Sequence, residues 1–358
     1  MSFGCRTGTA AGLHARVGHR PLPMRLNTTL CLMLGLCLLR AVAADDDDLQ
    51  WNNRSMPYAV FDKLPATRVG VGGAVIDVAF APGETDLPKS RILDWIAACA
   101  HTVAAYYGHF PAKRLRLLII PEDGGGVRHG TSFGYAGAAI KVALGRSVSE
   151  RELAKDWVLI HEMVHLAFPS QARQHLWIEE GVATYVEPVA RAQAGRMPAE
   201  DAWRQLVRGL PQGLPGAGDE GLDHTHTWGR TYWGGALFCL LAELDIRRRT
   251  DNRYGLQDAL RAISDATGGI EMEWPLEKVL RIGDGAIGVP ALSELYDKMK
   301  AAPVDTDLDG LWQRLGIAVK DGEVMLNDDA PLARVRRAIT APRSDPRKLI
   351  ELHTRAGR

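Results

Sequence analysis

The segment His161-Glu162-Met163-Val164-His165 restricts this chain more than any other. Residues four apart stand one turn apart on one face of a helix, so both imidazoles can reach a single metal ion. Glu162 follows His161 by about 100° around that helix. It can therefore lie beside a metal-bound water instead of on the metal. Zinc lowers the pKa of such a water towards roughly 7, and a neighbouring carboxylate can then take its proton. A catalytic zinc has three protein ligands and one open position, so a second element has to supply the third.

The flanking sequence offers both elements. Ser149-x-x-Glu152 is a capping box, and it predicts a helix running to about Phe168 and stopped by Pro169. Leu153, Trp157, Ile160, Val164 and Phe168 form its apolar stripe, with His161 and His165 at the border. A second helix is predicted over 173–190 and carries Glu179-Glu180. Glu180 shares a face with Leu176 and Ala183. A partly buried carboxylate needs a partner, and a metal would be one. Periodicity does not separate Glu179 from Glu180. Without a metal, the same residues would be core histidines at a stripe edge and a solvated acidic pair.

The rest of the chain sets the architecture. Strands are predicted at 74–80, 115–120 and 138–144, and a helix at 90–107. Residues 123–134 read as a flexible Gly-rich loop that lacks the Gly-Lys-Ser/Thr of a phosphate cradle. Helices are predicted over 233–248, 256–266, 292–301 and 308–315. A Gly- and Pro-rich loop is expected at 208–223, and Asp321-Gly322 signals a hairpin. The expected fold class is α+β: a strand-rich N-terminal lobe (45–148), a helical lobe carrying the metal site (149–340) and a basic tail (341–358).

Residues 1–44 carry five Arg and no acid, then an apolar run from Leu30 to Leu39, then Ala41-Val42-Ala43-Ala44. This order describes a secretory signal peptide, with Met24 as a second candidate start. The run is short of the roughly 20 residues that span a bilayer, so no stable membrane span is expected after cleavage. The expected location is outside the cytoplasm, periplasmic or secreted. Over the whole chain 43 bases balance 43 acids. Removing the leader leaves 38 against 43, which offers no basis for a nucleic-acid partner. The two cysteines beyond the leader, Cys99 and Cys239, make no disulfide framework.

With these residues in view, the chain resembles the gluzincin zinc metallopeptidases, especially the aminopeptidase N-like branch. The resemblance rests on the HExxH segment and on Trp177-Ile178-Glu179-Glu180-Gly181-Val182-Ala183, where the branch has Trp-Leu-Asn-Glu-Gly-Phe-Ala. It implies a zincin-type fold, Zn2+ held by His161, His165 and Glu180, and Glu162 as general base. It selects Glu180 over Glu179 because the ligand Glu directly precedes Gly. Tyr232-Trp233-Gly234-Gly235-Ala236 resembles the branch's Tyr-x-Lys-Gly-Ala, which implies that the Tyr232 hydroxyl stabilises an oxyanion.

Two departures bear on specificity. Fourteen residues (166–179) separate His165 from Glu180, fewer than in the branch. The branch also carries Gly-x-Met-Glu-Asn on an edge strand, whose Glu holds a substrate's free amine. The nearest candidate here is Gly137-Ala138-Ala139-Ile140-Lys141, which has no acid. The expected function is exported, zinc-dependent hydrolysis of peptide or protein substrates. The alternatives are a zinc amidase on cell-wall or other non-protein amides, and a non-catalytic binding protein that keeps the fold.

Overall fold

Strand patterning in the first third of the chain produces a mixed five-stranded sheet. The computed structural model describes residues 55–341, so the leader, the acidic run at 45–48 and residues 342–358 lie outside the described residues. After a single turn of helix, α1 (Val60–Lys63), come β1 (Ala66–Val71) and β2 (Ala74–Phe80). Helix α2 (Lys89–Tyr107) crosses to β3 (Arg114–Glu122), followed by β4 (Val127–Phe133) and β5 (Ala139–Gly145). Their order across the sheet is β1-β2-β3-β5-β4. The inner pairs β2–β3 and β3–β5 are parallel, and the outer pairs β1–β2 and β4–β5 antiparallel. The inner strands read as near-continuous apolar runs, as strands covered on both faces do. Ile92, Trp95, Ile96, Cys99 and Val103 of α2 are buried, at the spacing the sequence predicts.

One expectation fails in this region. Residues 123–134 are not simply a loop, because β4 occupies most of them as an edge strand. Pairing with β5 makes the strand, with Gly130 opposite Val142 and Ser132 opposite Ile140, despite a weak local pattern. The strand expected at 138–144 forms as β5, which lies between β3 and β4, so the edge strand is β4 and not the stretch from Gly137 to Lys141.

Beyond the sheet the chain is helical. The capping box at Ser149 and Glu152 forms as predicted, but the helix it opens, α3, covers only Glu150–Lys155. A separate helix, α4 (Val158–His165), carries the HExxH segment. Asp156 causes the break, because its carboxylate accepts from the backbone N–H of Val158 (2.9 Å) and Leu159 (3.1 Å) and so caps α4. Trp157 consequently leaves the predicted apolar stripe and stands 53% exposed.

Next come α5 (Leu176–Gln193) and α6 (Ala199–Gly209). A π-helical turn, Arg230–Gly234, leads into α7 (Gly235–Arg249). Helices α8 (Leu256–Thr267), α9 (Leu276–Ile287), α10 (Ala291–Met299) and α11 (Leu308–Leu315) follow. The hairpin β6 (Ile317–Lys320) and β7 (Glu323–Leu326) turns at Asp321-Gly322 as expected, and α12 (Ala333–Thr340) closes the described chain. One hydrophobic core runs from Val71 on β1 to Ile339 on α12. Cys99 and Cys239 are buried free thiols. No helix among the described residues is long and apolar enough to cross a membrane.

Candidate metal centre

Helices α4 and α5 pack against each other and bring three side chains together. His161, His165 and Glu180 offer donor atoms that all lie within 4.8 Å of one another. Glu180 Oε2 is 3.3 Å from His161 Nε2 and 3.6 Å from His165 Nε2. Ligands about 2.0–2.2 Å from a tetrahedral zinc stand roughly 3.3–3.6 Å apart, so these spacings and this N,N,O donor set fit the metal. The electrostatics are consistent with a site built around charge. Burial opposes ionisation of Glu180, but the two imidazoles outweigh it and hold the carboxyl well below the usual range. Burial likewise opposes a charged His165, yet Glu180, with Glu162 and Glu179, lifts its pKa to about 9.

Glu179 points elsewhere. Its Oε1 accepts from the backbone N–H of Gln171 at 2.9 Å, on the segment that joins the two helices, and burial raises its pKa. The start of α5 is fixed by Asp223, whose carboxylate lies 2.9 Å from His175 Nδ1 and accepts from Trp177 Nε1 (2.8 Å) and the Tyr296 hydroxyl (2.7 Å). This buried network sets where α5 begins, and with it where Glu180 stands.

Glu162 is buried between α4 and the edge strand β4. The Ser132 hydroxyl donates to Glu162 Oε2 at 2.6 Å and also lies 2.8 Å from the Glu162 backbone oxygen. Gly130 makes room for the side chain, since a Cβ at that position would stand 2.5 Å from Glu162 Cγ. Neither Ser132 nor Gly130 was identifiable from the sequence. The only local signal was a glycine and a serine two apart in a weakly alternating stretch.

Tyr232 also comes to the site. Its ring stacks on His161 with centroids 6.4 Å apart and on Trp228 at 5.7 Å. It sits in the π-helical turn, a distortion that recurs at functional sites because it re-aims side chains. Burial first, then Glu180 and Glu162, push its pKa up to about 12, so it stays a neutral O–H donor at ordinary pH.

The residues around Tyr232 in sequence take other roles. Arg230 is 2% exposed, its Nε lies 2.7 Å from Asp219 Oδ2, and its Nη1 donates to the Gly213 carbonyl, so it is not available to a substrate carboxylate. His224 and His226 are exposed loop residues. Trp228 is 60% exposed. It lines a cavity of about 810 Å³ that opens off His161 and Tyr232 and also meets Trp157 and Trp233.

The described architecture recurs among solved structures. An aminopeptidase N family protein from Idiomarina loihiensis superposes with a TM-score of 0.53 at 16% identity, over 72% of this chain and 50% of that one. Looser likenesses are a two-domain M1 zinc metallopeptidase bound to L-arginine (TM-score 0.46, 16% identity, 68% and 52%) and an M1 zinc metallopeptidase from Deinococcus radiodurans (0.44, 16%, 67% and 52%). The chain spans about half the length of each. No family model matches the chain, and no curated protein matches it in sequence. The likeness is one of fold, that of an α+β domain. Within that class, the fold is the one seen in the aminopeptidase N family protein.

Proposed function

We propose that this protein is an exported zinc metallopeptidase. The observation that carries the reading is the meeting of His161, His165 and Glu180 on two packed helices, with Glu162 buried beside them. His161, His165 and Glu180 would hold the metal. When bound, zinc supplies Lewis acidity, which polarises a carbonyl and makes a water nucleophilic near neutral pH.

The chain's own groups account for the proton movements. Ser132 holds Glu162 by Oε2, so the carboxylate keeps one orientation towards the site. Glu162 takes the proton of the attacking water and returns it to the leaving amine. The Tyr232 hydroxyl donates to the oxygen on which negative charge develops. The leader supports a periplasmic or secreted location.

The test compares the wild-type protein with Glu162→Gln, reading zinc content and cleavage of a mixed peptide library by mass spectrometry. About one zinc per chain is expected in both. Turnover is expected to fall at least roughly a hundredfold in the variant, the scale of lost general-base catalysis. Undiminished turnover by the variant sinks the assignment of Glu162. Zinc bound without turnover by either protein points to a binding role.

A further inference from the structure

We propose that the cavity beside the metal site is an anion-binding subsite and that the substrate is an acidic peptide, with a carboxylate held away from the bond that is cut. The inference rests on the metallopeptidase reading of the site and names its substrate class. The cavity begins at His161 and Tyr232 and measures about 810 Å³, at the upper end of pockets that enclose small ligands and roomy enough for a short stretch of chain. Its near end is aromatic, with Trp157 and Trp228 exposed at 53% and 60%.

The rest of its charged lining is mostly cationic. Lys155, Arg191, Arg196, Arg204 and Arg208 line the cavity, against the acids Glu187 and Asp201. Two of these cations are already matched. Arg191 pairs with Glu187 at 2.7 Å, and Arg204 is held between Asp201 and Glu323. Among the described residues no carboxylate pairs with Lys155, Arg196 or Arg208, although Arg208 Nη2 donates to the Gly322 carbonyl at 3.1 Å. Three uncompensated positive charges in a concave wall concentrate field on the cavity and favour an anionic occupant. Arginine forks match carboxylates in two-point contact.

The edge strand points the same way. From Val127 to Phe133 it carries Arg128 and His129 and no acid, so nothing on it recognises a free amine. The uncompensated cations come from three separate elements: α3, the segment that follows α5, and α6. Because the inference rests on a site that cuts peptides, a carboxylate of the peptide itself is the anion such a wall would hold.

The test is a binding measurement on the full chain bearing Glu162→Gln, so that it needs no turnover. The probes are a degenerate peptide library and its twin, in which every Glu is replaced by Gln, with inorganic phosphate as a separate arm. The acidic library is expected to bind about tenfold tighter, with the preference shrinking as salt screens it. Adding Arg196→Gln and Arg208→Gln is expected to cut the preference below about twofold and leave the neutral library unchanged, whereas Arg196→Lys with Arg208→Lys keeps the charge but not the two-point contact and so retains only part of it. Equal affinity for both libraries overturns the proposal. So does a preference that survives the double Gln variant, or phosphate binding more tightly than any peptide. Charge-selective binding by a protein whose wild type cuts nothing would defeat the peptidase reading alone. Cleavage indifferent to charge would defeat this inference alone.

Discussion

At position 130 there is no room for a side chain. Gly130 faces Glu162 so closely that a Cβ would meet Cγ at 2.5 Å. Gly130→Ala must therefore displace Glu162 and strain its 2.6 Å bond from Ser132. The metal ligands lie on α4 and α5 and not on β4, and although His161 and His165 share α4 with Glu162, a shift confined to the Glu162 side chain leaves them in place. The variant is expected to keep its zinc and lose roughly a hundredfold in kcat, the scale of an ångström's misplacement of a reacting group. Metal analysis beside steady-state kinetics checks this, and full activity in the variant would refute it. Legibility at this scale follows the range of the interaction. His161, Glu162 and His165 are readable because one helical turn fixes them relative to one another. Glu180 is separable from Glu179 only through the resemblance, since both lie near the same face. Ser132 and Gly130 are not readable, because strand pairing brings them to Glu162 across 30 residues of chain.

Between elements, glycine sets how closely the ligand helix meets the helix behind Tyr232. A Cβ on Gly181 would stand 2.3 Å from the backbone of Gly235, and one on Gly235 would stand 2.0 Å from the Trp177 carbonyl oxygen. Gly181 directly follows Glu180, so the Glu-Gly pair of the motif has a physical reason: one residue supplies a carboxylate and the next lets α7 approach. Gly181→Ala is expected to cost about 1–3 kcal/mol, the scale of overpacking a filled core. It should lower activity as well, since Tyr232 rides on the displaced segment. Chemical denaturation and kinetics on the same variant read both effects.

The helix interface near α4 adds a pH dependence. Burial raises the Glu187 pKa from 4.5 to about 7, although Arg191 pulls it back, and nearby Asp156 adds to the rise. Between those two values the native state holds a proton that the unfolded chain has released. Stability therefore falls as pH rises through that window, by a contribution on the order of 3 kcal/mol at most. In Glu187→Gln the stability measured from pH 4.5 to 7 should be flatter, and an unchanged slope would remove Glu187 as its source. The elements that escaped sequence reading did so for local reasons. Helices α6, α9 and α12 carry more charged residues between their apolar positions, which blurs the local pattern that a sequence reading follows. The α3–α4 break turns on a single aspartate that also fits a helix interior.

Over the whole molecule, sheet and helices share one core, and the donor set joins two helices of it. A metal held by His161, His165 and Glu180 therefore binds only when α4 and α5 are packed together. A ligand that binds the native but not the unfolded state stabilises by mass action, about 2.7 kcal/mol at a hundredfold excess over Kd. For a domain of this size that is a rise in Tm of roughly 5 °C. Zinc should produce that rise in the wild type, and a chelator should reverse it. In Glu180→Ala the rise should shrink sharply, because two imidazoles alone hold the ion less tightly. In Glu179→Ala it should persist, since that side chain is occupied at the Gln171 backbone. The two variants remove the same chemical group from adjacent positions, so loss of charge alone cannot explain a difference between them. A zinc-induced shift of equal size in both would mean that the ion stabilises the fold from somewhere else, and the ligand assignment would fall with it.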